Sequence, residues 1–510
     1  MVSHFIVYVQ QPETVYRQFS LHLILILDRC KRLRFSFRRR AVSIIYRFKF
    51  IWLALNLFDL VDMYNEHIPE ALNAEKSVNL GKTIYVENYG CAANKADLEI
   101  MLAYIFRLGY SLVDKPEEAD VILMNTCGVK KPTEDRILSR LRALSRLNKP
   151  IIVAGCLPKI NLNAVMKASQ NISAILDPYS VEKISLALRA AEENVRGKIF
   201  FSEKPIIKVG QPKIRINQVI EIIPIAEGCL GACSFCCVRF ARGKLFSYPK
   251  ELIVGRLREA VSEGVKEIWL TSQDNGAYGL DVGTNLVDLL KECCSVRGKF
   301  FIRVGMMNPN HAIKILPGLI DAYRDERIFK FLHLPVQSGD DDVLKIMNRR
   351  YTVDEFKAIV DAFRKDFPDI TIATDIICGF PGESREAFEK TLRLVEEVEP
   401  DVVNISKFFP RPNTPAARMK QIESKEIAYR SRLMTDIASK ISLKRNSRWI
   451  GWRGEVLIDE KGSGDSWIGR NYAYKPIVVR SKDNLLGKLV DVEVTAAHIN
   501  YLEAEIIRFK

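Results

Sequence analysis

The sequence contains no apolar run of about 20 residues, which is the length that a helix needs to cross a bilayer. It also lacks the basic start, long apolar stretch and small-residue cleavage site of a secretory signal. Cysteine is sparse: 11 among 510 residues argues against a disulfide scaffold and is typical of a reducing compartment, where thiols bind metals or catalyse. We therefore expect a soluble, cytoplasmic protein with no membrane partner.

Charge is unbalanced toward the basic side, with 76 Lys and Arg against 62 Asp and Glu and a net charge of +14. Hydrophobic residues make up 48% of the chain, which is enough to bury a core, and the length corresponds to roughly three domains. A basic balance favours an anionic partner, with nucleic acid the first candidate and an anionic membrane surface the second.

Residues 1–75 differ from the rest of the chain. Nine basic residues and no acidic one lie between residues 29 and 49. Three interpretations stay open: a basic extension that contacts RNA or a surface, a poorly ordered tail, or sequence upstream of the true start. The segment has ten basic and seven acidic residues, a net +3, so the remaining residues keep +11 of the total +14 and are basic without it.

Strand and helix patterns alternate along most of the remaining chain, which predicts an α/β protein. We expect a doubly wound α/β domain over 82–201 and a partial parallel barrel of six strand–helix units over 215–445. From 446 to 510 the pattern changes to period two, which predicts a small five-stranded β-barrel of OB-like kind. Catalytic groups of parallel sheets lie at the C-terminal ends of the strands.

The strongest chemical signal follows the first strand predicted for the central domain. Cys229, Cys233 and Cys236 have the spacing CxxxCxxC, so three thiolates on one tight loop can bind three irons of a 4Fe–4S cluster. The fourth iron then has no protein ligand and can coordinate a small molecule. The alternatives are unrelated buried thiols or zinc, although a structural zinc site normally takes four protein ligands. A ligand at Cys237 would close the open iron, so we expect a buried bystander there.

Three more cysteines follow predicted strands of the first domain. Cys91, Cys127 and Cys156 each lie beside a glycine at the C-terminal end of such a strand. Because parallel strands end at one edge of a sheet, the three thiols can converge into a second three-ligand cluster site. Unrelated buried cysteines at strand ends are the alternative.

The CxxxCxxC loop resembles the signature of the radical SAM superfamily. The resemblance implies that S-adenosylmethionine chelates the open iron through its amino and carboxylate groups and is cleaved reductively. It also implies cofactor contacts by Phe235, the aromatic residue before the last cysteine, and by Gln273 and Asp274 near the amino group. Gly379 and Gly382 would lie near the adenosine, with a simple turn as the alternative for both.

Both cysteine trios in this order, followed by a β-barrel, resemble the methylthiotransferases, whose domains are an N-terminal cluster domain, a radical SAM domain and a TRAM domain. The runs 333–339 (HLPVQSG), 379–383 (GFPGE) and 409–415 (FPRPNTP) fit this resemblance, which covers about 82–510. The run 125–130 (NTCGVK) is similar to the archaeal and eukaryotic tRNA branch. That branch installs a 2-methylthio group on N6-threonylcarbamoyladenosine at position 37, beside the anticodon.

The resemblance implies two 4Fe–4S clusters, S-adenosylmethionine, a tRNA substrate, a low-potential electron donor and a sulfur donor. We expect no catalytic residue beyond the six cluster-binding cysteines, because the C2–H bond of an adenine offers no acidic proton to a general base. The alternatives are the same reaction on N6-isopentenyladenosine or on a ribosomal protein, a non-catalytic iron–sulfur RNA-binding protein, and a zinc-bound RNA adaptor.

Charge and aromatic content favour RNA as the substrate. The predicted helix over 417–448 carries nine basic and three acidic residues, a net +6. Three aromatic residues of the barrel segment are candidates for stacking on bases, with ordinary barrel packing as the alternative: Trp467, Tyr472 and Tyr474. The candidates for a cation that pairs with the substrate carboxylate are Arg242, Lys244 and Arg349.

Overall fold

The computed structural model describes residues 81–509, so the expectation for residues 1–75 lies outside the described part of the chain. Within the described range, no helix is both long enough and apolar enough to cross a membrane. The predicted α/β fold class, with a partial barrel in the middle and a small β-barrel at the end, is confirmed.

The first domain is built around a parallel sheet. Its strands are β1 (Thr83–Asn88), β2 (Ser111–Leu112), β3 (Val121–Thr126), β4 (Ile151–Gly155), β5 (Ile172–Leu176) and β6 (Lys198–Phe200). The helices are α1 (Ala92–Arg107), α2 (Lys131–Ser145), α3 (Cys156–Ala168) and α4 (Ile184–Glu192). The spatial order is β2-β1-β3-β4-β5-β6, with the short strands β2 and β6 at the two edges.

Both faces of this sheet are covered, as the near-continuous apolar strands require. Val121 and Leu123 on β3 pack with α1 and α4. Their neighbours Ile122 and Met124 point the opposite way and pack with α2 and α3. The strand therefore has no polar face, and its polar residues are found at its C-terminal end.

The central domain has six main parallel strands, interspersed with helices. The strands are β7 (Ile220–Pro224), β10 (Glu267–Thr271), β11 (Phe301–Val304), β12 (Phe331–His333), β13 (Thr371–Cys378) and β14 (Val402–Lys407). The helices are α5 (Val238–Arg242), α6 (Lys250–Ser262), α7 (Leu286–Ser295), α8 (Pro309–Ala312), α9 (Leu316–Tyr323), α10 (Asp341–Ile346), α11 (Val353–Asp366) and α12 (Arg385–Val398).

These strands form two three-stranded sheets, β7-β10-β11 and β12-β13-β14. A parallel bridge between Ile302 and Ile328 connects β11 to the segment before β12, so the six strands run on as one partial barrel. The first of these strands, β7, ends at Pro224. A separate short strand, β8 (Ala226–Glu227), then pairs antiparallel with β9 (Phe246–Ser247).

The last part combines a long helix with a closed barrel. Helix α13 (Ser424–Ser447) packs against α12 and β14 and leads into the barrel. The strands are β15 (Arg453–Lys461), β16 (Ser466–Arg470), β17 (Pro476–Arg480), β18 (Leu489–Ala497) and β19 (Leu502–Phe509). They close in the order β15-β16-β17-β19-β18 around an apolar core that includes Val456, Ile477 and Val492.

Candidate functional site

The central cysteine loop starts directly after β8, and the β8–β9 pair closes its base. The backbone N–H of Cys229 donates to the Gly243 carbonyl at 3.3 Å, which ties the two ends of the loop together. Gly228 has a φ of +71°, and a Cβ there would lie 1.9 Å from the Lys244 carbonyl oxygen. Only glycine therefore fits at this crossing, and the crossing directs the chain into the loop.

The loop brings the thiols of Cys229, Cys233 and Cys236 near one another. Burial, followed by the charges of neighbouring cysteines, raises the pKa of Cys236 to about 12. Burial and the nearby Asp274 carboxylate raise the pKa of Cys229 to about 11. Arg349 contributes positive charge here, since its Nη1 donates to Cys233 Sγ at 3.3 Å. The raised pKa values keep Cys229 and Cys236 protonated near neutral pH until a metal displaces the protons, which fits a metal-binding loop.

The second trio is assembled by three adjacent strands. Cys91 caps the start of α1 after β1, Cys127 follows β3, and Cys156 is the first residue of α3 after β4. Because β1, β3 and β4 are neighbours in the sheet, the three residues share one edge, as predicted. Burial raises the pKa of Cys156 to about 12, because the charge of Arg242, which lowers the pKa, does not outweigh burial and the charges of Cys127 and Cys91.

Asn94 lies between two members of this trio. Its Oδ1 is 3.8 Å from Cys91 Sγ and 3.7 Å from Cys156 Sγ. Its Nδ2 donates to the Thr126 carbonyl at 2.9 Å, which fixes the orientation of the amide. Asn94 was not among the predicted site residues, although its position three residues after Cys91, in the first turn of α1, is a local signal.

A buried ion network joins the two cysteine loops. Arg242 donates from Nη1 to both carboxylate oxygens of Glu227 at 3.0 Å and from Nη2 to Asp97 Oδ2 at 2.7 Å. Lys208 Nζ lies 2.5 Å from Asp97 Oδ1 and from Glu227 Oε1. Although burial opposes ionisation, the Arg242 and Lys208 charges hold the pKa of Asp97 below its usual range. Two cations thus face two anions in a buried cluster that sequence analysis did not anticipate.

The residues expected to contact S-adenosylmethionine have different surroundings. The Phe235 ring packs edge-on against Phe380, with centroids 6.3 Å apart. Asp274 is buried, and its carboxylate lies 2.9 Å from the Asn308 backbone N–H and 2.7 Å from His311 Nδ1. Gln273 Oε1 is buried and has no hydrogen-bond partner among the described residues, so it is available to a ligand.

The two glycines have packing reasons of their own. Gly379 has a φ of +78°, and a Cβ there would lie 2.5 Å from Ile427 on α13. Gly382 has a φ of +93°, and a Cβ there would lie 3.3 Å from Ile346 on α10. Close helix contacts account for both residues, so their contact with adenosine stays a prediction.

Cys237 is buried beside Cys156 and Ile160, and its Sγ lies 3.5 Å from the Gly128 carbonyl oxygen.

Among residues 81–509, no group of three or more His, Cys, Asp or Glu side chains is arranged to hold a metal ion. The members of each trio lie near one another but do not form a closed site for a single ion. The assignment of the six cysteines as ligands stays a prediction.

Three family models match the chain. The Radical SAM superfamily matches residues 223–395, Uncharacterized protein family UPF0004 matches residues 83–177, and the TRAM domain matches residues 450–507. The radical SAM match supports the use of an iron–sulfur cluster and S-adenosylmethionine.

Curated relatives are similar over most of the chain. A probable threonylcarbamoyladenosine tRNA methylthiotransferase from Pyrococcus horikoshii is 44% identical over 83% of this chain and 99% of its own length. The threonylcarbamoyladenosine tRNA methylthiotransferases of Xenopus laevis and Homo sapiens are each 36% identical, over 85% and 83% of this chain and 79% and 73% of their own lengths. The resemblance inferred from the cysteine pattern is thereby confirmed: the chain belongs to the threonylcarbamoyladenosine tRNA methylthiotransferase family of radical SAM enzymes.

Proposed function

We propose that this protein converts N6-threonylcarbamoyladenosine at position 37 of tRNA into its 2-methylthio derivative. The observation that carries the proposal is the 44% identity over 99% of the length of a relative named as a probable threonylcarbamoyladenosine tRNA methylthiotransferase. The two converging cysteine trios support it, because the reaction replaces an unactivated C–H bond and needs cofactors rather than an acid–base pair.

Six cysteines would hold two 4Fe–4S clusters, one in each trio: Cys229, Cys233 and Cys236, and Cys91, Cys127 and Cys156. When bound, the clusters and S-adenosylmethionine supply the radical chemistry at the adenine C2–H bond, the sulfur and its methyl group. Five residues are proposed to contact S-adenosylmethionine: Phe235, Gln273, Asp274, Gly379 and Gly382. The unpartnered buried Oε1 of Gln273 is the feature that best supports this set.

The protein's own contribution is to position these groups and to keep water from them. The β8–β9 pair fixes the loop of the central trio, and Arg349 donates a hydrogen bond to Cys233 Sγ. The network of Arg242, Glu227, Asp97 and Lys208 ties that loop to α1, whose N-cap is Cys91. A buried, fully paired network of this kind holds one geometry, because any shift leaves a charge without its partner.

The proposed tRNA contact surface lies where α13 meets the barrel. Trp452 and Tyr472 are partly exposed there, with ring centroids 6.2 Å apart, and the exposed Arg448 lines the same cavity as Trp452. Aromatic faces next to a basic helix are the pattern that binds single-stranded RNA. Trp467 and Tyr474 are buried to 6% and 9% exposure, so among the three aromatic candidates Tyr472 has the accessible ring.

A low-potential electron donor and a sulfur donor complete the proposed set of partners, and the cytoplasm is the proposed location. The sparse cysteine content, 11 among 510 residues, supports a reducing compartment.

The decisive experiment is mass spectrometry of tRNA nucleosides from a deletion strain, its parent and the deletion strain complemented with this chain. We expect 2-methylthio-N6-threonylcarbamoyladenosine to disappear in the deletion strain, its unthiolated precursor to accumulate, and the complemented strain to recover the product. An unchanged level of that nucleoside in the deletion strain would overturn the proposal.

A further inference from the structure

The strands of the central barrel show which side chains face its interior. Ile268 and Leu270 on β10 and Ile302 on β11 pack in the core that the helices cover. Because side chains alternate along a strand, Trp269 and Arg303 point to the opposite, inner face of the sheet. These two residues are not among those assigned to the clusters or to S-adenosylmethionine.

Arg303 lies among three aromatic rings on this inner face. Its guanidinium carbon is 5.2 Å from the ring centroid of Trp269, 5.1 Å from that of Phe331 and 5.4 Å from that of Tyr474. No carboxylate pairs with Arg303 and no acceptor bonds to it within residues 81–509. A half-buried guanidinium in a ring cage retains its donors for a ligand, and the rings restrict its orientation.

On one side, the cage connects to the first cysteine of the N-terminal trio. Lys95 Nζ lies 5.9 Å from the centroid of the same Trp269 ring. Lys95 is one helical turn after Cys91, and its backbone N–H donates to the Cys91 carbonyl at 3.1 Å. Trp269 is therefore shared between Arg303 and the segment that presents Cys91.

On the other side, the cage connects to the loop of Cys127. The Phe331 ring contacts the ring of His333, with centroids 6.5 Å apart, and His333 Nε2 lies 3.0 Å from Asp375 Oδ1. Burial raises the pKa of Asp375, but His333, Asn404 and the charge of Lys130 outweigh it and hold the pKa below its usual range. Lys130 is three residues after Cys127, and its charge acts on Asp375, so the segment after Cys127 lies near the His333 side of the cage.

Glu267 lies at the same rings and does not neutralise Arg303. It accepts a hydrogen bond from the Tyr474 hydroxyl at 2.9 Å and another from the Trp269 indole N–H. Burial and the charge of Asp459 raise the pKa of Glu267 well above its usual range, which reduces its negative charge near neutral pH. The cation of Arg303 is thus left for an external anion.

We propose that Arg303 binds the carboxylate of the threonylcarbamoyl group and selects it over an apolar N6 substituent. The inference rests on the proposed function, which supplies a substrate with one carboxylate beside the reacting adenine. A planar guanidinium can grip a carboxylate with two parallel hydrogen bonds, and the surrounding rings hold it in place. Two of the three cations named from the sequence as partners of the carboxylate already have other partners. Arg242 is held in the buried ion network, and Arg349 donates to Cys233 and the Pro335 carbonyl.

The test uses the reconstituted holoenzyme and two anticodon stem-loop RNAs, measured anaerobically by fluorescence anisotropy. One RNA carries N6-threonylcarbamoyladenosine, and the other carries the methyl ester of the same nucleoside, which has no charge. We expect the wild-type protein to bind the acid about 10- to 100-fold more tightly, the range for a charge-assisted hydrogen-bonded pair. Arg303→Met should remove this difference by weakening binding of the acid while leaving the Kd of the ester unchanged.

Two further variants separate specific from general effects. Arg303→Lys keeps the positive charge but loses the planar pair of N–H donors, so it should retain a reduced preference for the acid. It replaces Arg303→Met as the test variant if Arg303→Met does not fold. Lys440→Met removes an exposed charge from α13 and should weaken the binding of both RNAs by the same factor.

A full acid preference in both Arg303 variants would overturn the inference, as would an equal loss for acid and ester. Product analysis by mass spectrometry separates this failure from that of the proposed function. If the wild-type protein makes no methylthio product from the acid RNA, the proposed function fails. If it makes that product and the Arg303 variants keep the full acid preference, the carboxylate assignment alone fails.

Discussion

Arg242 Nη2 lies 2.7 Å from Asp97 Oδ2 across a sequence separation of 145 residues. Arg242 comes six residues after Cys236, and Asp97 comes six residues after Cys91. One buried ion pair therefore connects the segment that carries the radical SAM cysteines with the helix that begins at the N-terminal trio. Glu227, two residues before Cys229, joins the same network. The relative position of the two proposed cluster sites is thus tied to a few side chains.

Replacing Arg242 by Met is expected to destabilise the folded protein by about 3 to 5 kcal/mol. The change leaves Asp97 and Glu227 buried with Lys208 as their remaining cation, and an uncompensated buried charge is costly. The midpoint of urea unfolding measures the effect. Arg239→Met is the matched control, since Arg239 is exposed on the same short helix, and it should change stability by less than about 0.5 kcal/mol. Equal effects of the two variants would contradict the importance of the network.

The two cysteine trios should separate in their effects on the reaction. Cys229→Ala is expected to reduce S-adenosylmethionine cleavage to background, because the proposed cleaving cluster loses a ligand. Cys156→Ala is expected to leave cleavage in place and to abolish methylthiolation, because it affects only the proposed sulfur-bearing site. Both products are quantified from the same anaerobic reaction by mass spectrometry.

Cys294→Ala is the control for those variants. Cys294 lies on α7, outside both trios, and the change should preserve both products. Methylthiolation that survives Cys156→Ala would show that the N-terminal trio is not the sulfur-bearing site.

Much of the fold and the convergence of both trios could be predicted, for physical reasons that differ between the trios. The spacing of Cys229, Cys233 and Cys236 is local and needs no tertiary information. The convergence of Cys91 and Cys127 followed from a general property of parallel sheets, whose strands end at one edge.

The ion network and the cage of Arg303 could not be predicted. The partners of Arg242 lie 15 and 145 residues away, and no periodicity relates them. Arg303 occupies an inner-face position that alternation alone suggests, but the rings around it come from two other strands and a loop of the C-terminal barrel. Tyr474 was a candidate for base stacking, and its burial in this cage depends on docking of the barrel, which no local pattern encodes.

The aromatic and basic surface at the start of the C-terminal barrel should contribute to tRNA affinity. Trp452→Ala is expected to weaken binding by about 5- to 100-fold, since one stacked base is worth about 1–3 kcal/mol. Arg448→Met should lower affinity and reduce the slope of log K against log salt by about one, because it removes one phosphate contact. Binding is measured by filter retention across a salt series.

Arg258→Met is the control for that surface. Arg258 is exposed on α6, outside the junction between α13 and the barrel, and its loss should leave the salt slope unchanged. If Arg258→Met and Arg448→Met gave the same slope, the junction would not be the RNA surface.

Stability should depend on Glu221 over a defined acidic range. Burial raises the pKa of this carboxyl, but Lys213 and Arg256 outweigh it, and the pKa falls from its usual 4.5 to about 2. A carboxyl with a lowered pKa stabilises the folded state above its unfolded pKa, and this contribution is lost as pH falls from about 4.5 toward 2. A shift of this size corresponds to about 3 kcal/mol.

The stability difference between the wild-type protein and Glu221→Gln, from urea unfolding at pH 7, 5 and 3, should therefore shrink below pH 4.5. Glu203→Gln, at an exposed position, should show no such trend, and a difference for Glu221→Gln that stays constant with pH would contradict the assignment.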